Sequence, residues 1–213
     1  MKNMIFSLLL AAPLLLGGCL GVNSDAQARA AAQRRTFVPE VAVPDKPLVA
    51  KPTFESVKCR AVRILAPFDS KQFIHRRSDG QFVADFYNGW LGMPADLVSA
   101  QIVRYLDASG LFSAVFDGRS SVSSQFGLEC ILSEFYVHDT GESPTAAVGL
   151  RMLLVDEGAP KLSVRKSVKS FRTVSAKSSA PDDLARAYNQ ALTECLKEGS
   201  LALNGQNPSP EKK

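Results

Sequence analysis

Between Phe68 and Val115 the chain reads, without interruption, as a hairpin, a turn around bulky apolar residues, an amphipathic helix and the start of a new strand. This order constrains the fold more than any other stretch. Phe73 to Arg77 and Phe82 to Tyr87 are short strand-like runs on either side of Ser78-Asp79-Gly80-Gln81, where Asp-Gly supplies the positive φ angles of a tight hairpin turn. Asn88 to Met93 reads as a loop, its two glycines letting the backbone turn around Trp90, the only tryptophan. Pro94 suits a first helical turn and Asp96 the positive end of a helix dipole. Leu97, Val98, Ile102, Tyr105 and Leu106 then recur at helical spacing. Gly110 ends the helix, and Leu111 is placed to fold back as the apolar contact of a Schellman-type cap.

The flanking segments supply a sheet. Val57 to Pro67 is expected as a first strand, and Phe112 to Phe116 as the strand after the helix. Gln125 to His138 is a longer one, in which Phe126, Leu128, Cys130 and Leu132 share a face. With Ala147 to Asp156 and Lys161 to Val174 it forms an antiparallel meander. Pro181 to Leu203 is a second helix, with Leu184, Tyr188, Ala191, Leu192, Cys195 and Leu196 on one stripe. At 213 residues and 46% apolar composition the chain supports one domain of ordinary size with a real core. Two helices with one apolar stripe each imply an α+β two-layer sandwich, a mixed or mostly antiparallel sheet with both helices on one face, in the order β-ββ-α-β-βββ-α.

The N-terminus carries an address. Lys2 precedes an apolar run from Met4 to Leu16, too short to span a bilayer as a helix. The following Leu16-Gly17-Gly18-Cys19 resembles the bacterial lipobox. That resemblance implies cleavage before Cys19, a diacylglyceryl group on its sulfur, and, since Leu20 rather than Asp follows, a place in the outer membrane. More than one acyl chain makes a stable anchor. Residues 1–18 are thus expected as a signal peptide and 19–56 as a lipidated flexible linker, with Pro39, Pro44, Pro47 and Pro52 in polar surroundings and no periodic apolar face. The folded domain is expected over 57–203, and a disordered tail over 204–213.

Catalytic signatures are missing from the sequence. His75 and His138 fall at predicted strand ends with no metal-ligand spacing around them, and neither H-E-x-x-H nor C-x-x-C occurs. No G-x-S-x-G elbow accompanies the serines, and no phosphate-binding glycine loop is present. The chain is therefore expected not to be an enzyme and to need no metal or cofactor. A net charge of +4 suits an anionic lipid surface or an acidic partner and, with no RNP-like motif, finger spacing or basic helix, does not argue for nucleic acid.

Four groups of residues are candidates for other roles. Cys59, Cys130 and Cys195 allow three single disulfide pairings in an oxidising compartment, or stand as buried free thiols. Arg165, Lys166, Lys169 and Arg172, flanked by Lys161 and Lys177, give the last strand a basic stripe. It reads either as a face for anionic lipid or an acidic partner, or as a charged edge that blocks sheet-to-sheet aggregation. Arg76 and Arg77 add a basic spot beside the hairpin turn. Phe86, Tyr87, Trp90, Leu91 and Met93 form an aromatic and flexible apolar cluster, either core or a docking edge.

In sum, a lipoprotein signal, a short hairpin, Tyr87, Trp90 and Pro94 in the order Tyr-x-x-Trp…Pro, a helix running into Ser109-Gly110-Leu111-Phe112, three long strands and a C-terminal Ala187-Tyr188-Asn189-Gln190-Ala191-Leu192 helix resemble the ABC-type transport auxiliary lipoprotein family. The resemblance covers about residues 57–203 and the lipobox. It implies a non-enzymatic, lipid-anchored accessory subunit facing the periplasm. Its partners would be a permease, an ATPase and a substrate-binding protein of the mammalian-cell-entry (MCE) type in intermembrane lipid transport, with homo-oligomerisation by analogy. An envelope structural or assembly lipoprotein that binds an outer-membrane protein or peptidoglycan is the alternative reading.

Overall fold

A computed structural model describes residues 34–139 and 143–206. The signal sequence, the lipobox with Cys19 and most of the C-terminal tail lie outside the described residues. Among the described residues the architecture is α+β: one open, mixed sheet of nine strands with two helices. Its axis is β7 (Phe126–His138), and the two sides of β7 are built differently.

Along one side of β7 three short strands run end to end and parallel to it: β2 (Phe54–Cys59), β3 (Arg63–Ile64) and β4 (Gln72–Arg76). Outside β2 lies β6 (Phe112–Asp117), parallel; outside β4 lies β5 (Phe82–Trp90), antiparallel. The expected strand from Val57 to Pro67 is therefore two strands beginning at Phe54. Along the other side of β7, β8 (Thr145–Asp156) and β9 (Ser163–Ser175) complete the antiparallel meander. The hairpin turn between β4 and β5 is as expected: Gly80 has φ +88°, and the Asp79 carboxylate accepts the Gln81 N–H at 2.9 Å.

Helix α1 (Pro94–Ser109) packs over β2, β3 and β6, and α2 (Pro181–Leu203) over β8 and β9. Val98, Ile102, Tyr105 and Leu106 of α1 are buried, as is the whole predicted stripe of α2. Each buried Val, Leu or Ile among them contributes about 1.5–3 kcal/mol relative to exposure, before entropy. Gly110 closes α1 at φ +66°, in the left-handed region. A Cβ there would also meet Pro47, so this position is held open twice over.

Residues 35–56 depart from the expected linker. Arg35–Phe37 form β1, a parallel strand outside β5 paired with Asn88, Gly89 and Trp90. The chain then crosses both helices. The N–H groups of Glu40, Val41 and Ala42 donate to Asn189 Oδ1 (3.0 Å), Gln101 Oε1 (3.3 Å) and Thr193 Oγ1 (3.1 Å), and Leu48 N–H donates to Ser109 O at 2.8 Å. Val41 is buried, and Arg35 is salt-bridged to Asp182 at the start of α2. The physical reason is that an extended segment without an apolar periodicity can still be ordered when side-chain acceptors on a preformed surface take its backbone donors. At the other end, Asn204 to Gln206 continue as hydrogen-bonded turns from α2 rather than as a free tail.

The face of β7 changes parity along its length. Leu128, Cys130 and Leu132 point to the helices, but between Leu132 and Glu134 the register with β8 shifts, and beyond it Phe135 and Val137 take the inner positions.

Candidate functional site

The predicted aromatic cluster splits in two. β5 and β4 pair at Ile74–Ala84 and again at Gln72–Gly89. Four residues, Asp85 to Asn88, thus face the single Phe73, and the surplus chain bulges outward. The Asp85 carboxylate closes the bulge: it accepts the N–H groups of Tyr87 (2.9 Å) and Asn88 (3.1 Å) and the Asn88 side-chain amide (2.8 Å). At its tip Phe86 and Tyr87 are 69% and 46% exposed, their rings edge to face at 5.1 Å.

Trp90 has the opposite fate. It is 3% exposed, with ring centroids 4.7 Å from Phe73, 5.4 Å from Phe135 and 5.2 Å from Tyr188. The expected loop from Asn88 is strand as far as Trp90, because β1 pairs with it on one side while the Lys71 carbonyl accepts the Trp90 N–H on the other. Gly89 is required there, since a Cβ would run into the Lys71 carbonyl oxygen. Trp90 therefore leaves the list of contact residues for the core. Met93 is half-buried at the N-cap of α1 and does not join the exposed pair.

Under the bulge, His75 stands between two carboxylates, with Nδ1 3.1 Å from Asp139 and Nε2 3.8 Å from Asp85. It links β4 to the end of β7 and to the bulge, a connection that the sequence did not reveal. Arg76 lies over the Phe82 ring at 5.9 Å, and Arg77 is exposed beside the turn. Among the described residues no group of His, Cys, Asp and Glu is arranged to hold a metal ion.

The basic stripe also divides. Lys166 and Arg172 lie opposite Leu154 and Val148 on the helix-covered face, where Arg172 pairs with Glu198 of α2 at 2.8 Å. Lys169 points to the helix-free face, and Arg165 is exposed at a register shift. Strand alternation alone separates them. Cys59, Cys130 and Cys195 are free and buried, which is the second of the two readings the sequence left open; none of the three possible pairings is formed. Burial, with Asp117 adding to it, pushes the Cys59 thiol up to about 12; burial likewise takes Cys195 to about 12 and raises Cys130. Such thiols behave as small hydrophobes, not nucleophiles.

No protein-family model matches the chain, and no curated protein does. Solved structures do. A Xanthomonas campestris protein assigned to the DUF330 family model superposes with a TM-score of 0.67 at 22% identity, over 80% of this chain and 96% of that one. A hypothetical protein from Chlamydia trachomatis gives 0.51 at 11%, over 72% and 97%. These likenesses are of fold. No described helix is long and apolar enough to cross a membrane.

Proposed function

We propose that the chain is a non-enzymatic, lipid-anchored periplasmic subunit that docks on the substrate-binding component of an MCE-type ABC lipid transport system through the Phe86–Tyr87 bulge. The observation that carries the docking part is the bulge itself: two large aromatic rings held out from the sheet by a carboxylate with three hydrogen bonds, on the same hairpin as Arg76 and Arg77. Aromatic residues and arginine are enriched where protein surfaces meet. The lipobox and the order of motifs support the anchor and the transport system. In this reading Cys19 holds one end, the chain before Arg35 spans the distance, and the domain supplies a contact.

Affinity capture of the tagged full-length lipoprotein tests this, with lipid analysis of the recovered material. Recovery of a permease, an ATPase and an MCE-domain protein is the expected result. Recovery of outer-membrane assembly proteins or peptidoglycan alone would instead support the envelope-assembly reading.

A further inference from the structure

The face of the sheet turned away from the helices carries a row of side chains that the docking reading does not use. Arg63 of β3 is in register with Ile131 of β7, Ile131 with Arg151 of β8, and Arg151 with Lys169 of β9. Three cations therefore sit in one cross-strand row, spanning about 14 Å at ordinary strand spacing. No salt bridge to any of them is formed among the described residues. Ion pairs elsewhere on the molecule, such as Arg60 with Glu129 and Glu157, show what the same chemistry looks like when satisfied. Arg151 and Lys169 are directly opposite each other, an arrangement of like charges that destabilises a sheet. The Nε of Arg151 is shielded from solvent and has no hydrogen-bond partner among the described residues.

A charged edge strand explains Lys169, since charges on an edge block aggregation. It does not explain Arg151, which lies on β8, paired on both sides. What Arg151 and Lys169 share is a groove of about 550 Å³. Its apolar walls are Leu65, Ile131 and Phe171, and Gly149 leaves room for the Ser133 and Glu134 side chains that also line it. Ile131 is buried there yet stands apart from the core beneath the helices, while Leu65 and Phe171 are exposed. Glu134, the one carboxylate in the lining, pairs with neither cation. The volume lies within the range of small-molecule sites.

We propose that this groove binds a small amphiphilic anion: a carboxylate or phosphate head on Arg151 and Lys169, and an apolar body against Leu65, Ile131 and Phe171. Arginine's planar fork suits either head, and the head's negative charge offsets the like-charge pair. The site does not depend on the docking reading.

The test uses the full-length lipoprotein in phosphatidylcholine nanodiscs, titrated calorimetrically with hexyl phosphate, hexanoate, inorganic phosphate and hexanol, with empty discs as the reference. Saturable one-to-one binding of hexyl phosphate or hexanoate is expected, with inorganic phosphate and hexanol at least about tenfold weaker. Replacing Arg151→Gln and Lys169→Gln together should lower affinity for the binding anion about tenfold or more while leaving the thermal midpoint unchanged or higher, because the repulsion is gone. The proposal is overturned if neither amphiphile saturates, if inorganic phosphate or hexanol binds as well, or if the double variant keeps the affinity of the unmodified chain. Loss of binding in that variant with partner capture intact would leave the docking reading standing, and the reverse would hold for a Phe86 and Tyr87 variant.

Discussion

Trp90 and the Phe86–Tyr87 pair lie within five residues of one another on β5, and all three are large aromatic side chains, yet one is core and the others are surface. Hydrophobicity does not separate them; hydrogen bonding does. Trp90 is fixed by backbone bonds on both sides of its strand, so its ring is committed to the space between Phe73, Phe135 and Tyr188. Phe86 and Tyr87 belong to the four-residue stretch that stands opposite the single Phe73 of β4, and the Asp85 carboxylate replaces the missing ladder bonds. A sheet can thus present aromatic rings to solvent without loosening its core, provided that a polar side chain closes the bulge.

The contrast can be broken from either side. Trp90→Ala should cost about 3–5 kcal/mol, since a large cavity would open among three rings. Urea unfolding of the variant measures this, and a loss below about 1 kcal/mol would remove Trp90 from the core. Asp85→Ala should cost about 1–2 kcal/mol by unpairing the bulge. Hydrogen exchange should then quicken at Tyr87 and Asn88 and leave Trp90 protected; equal quickening at all three would mean that bulge and core are one unit.

The buried thiols sharpen the same contrast through pH. Cys59 and Cys195 have folded-state values raised from 9.0 to about 12. The unfolded chain releases those protons first, so the associated stability is fully present below about pH 9 and is lost as pH rises toward 12. Near pH 10 the slope is about 1.4 kcal/mol per pH unit for each thiol. Alkaline unfolding curves of the Cys59→Ala variant should be flatter than those of the unmodified protein. The same thiols should resist a thiol reagent until the protein unfolds; fast reaction in the native state would contradict their burial.

Both helices, the Asp-Gly turn and the long meander were legible because their signals are local: a 3.6-residue apolar period, a capping Pro or Gly, and a two-residue alternation. The strap from Arg35 to Pro52 was not, because its order depends on acceptors such as Gln101, Asn189 and Thr193 that are far away in sequence. The parity change at Ser133 was hidden for a related reason, since a bulge appears only once the partner strand's register is known. For the aromatic cluster the sequence left core and docking edge open, and the structure divides it, with Phe86 and Tyr87 exposed and Trp90 buried. Asp85 carried a signal in its Asp-x-x-Asn spacing, which suits a side chain that takes nearby backbone donors. Arg63 and Arg151 carried none, because each looks like an ordinary charge on a strand until four strands are aligned.

The most direct test of the central claim is quantitative capture of partner proteins by the full-length lipoprotein carrying Phe86→Ala and Tyr87→Ala, paired with its thermal midpoint. The account predicts stability within about 0.5 kcal/mol of the unmodified protein, as for exposed side chains, together with loss of most captured transporter. Undiminished capture by a folded double variant would contradict it.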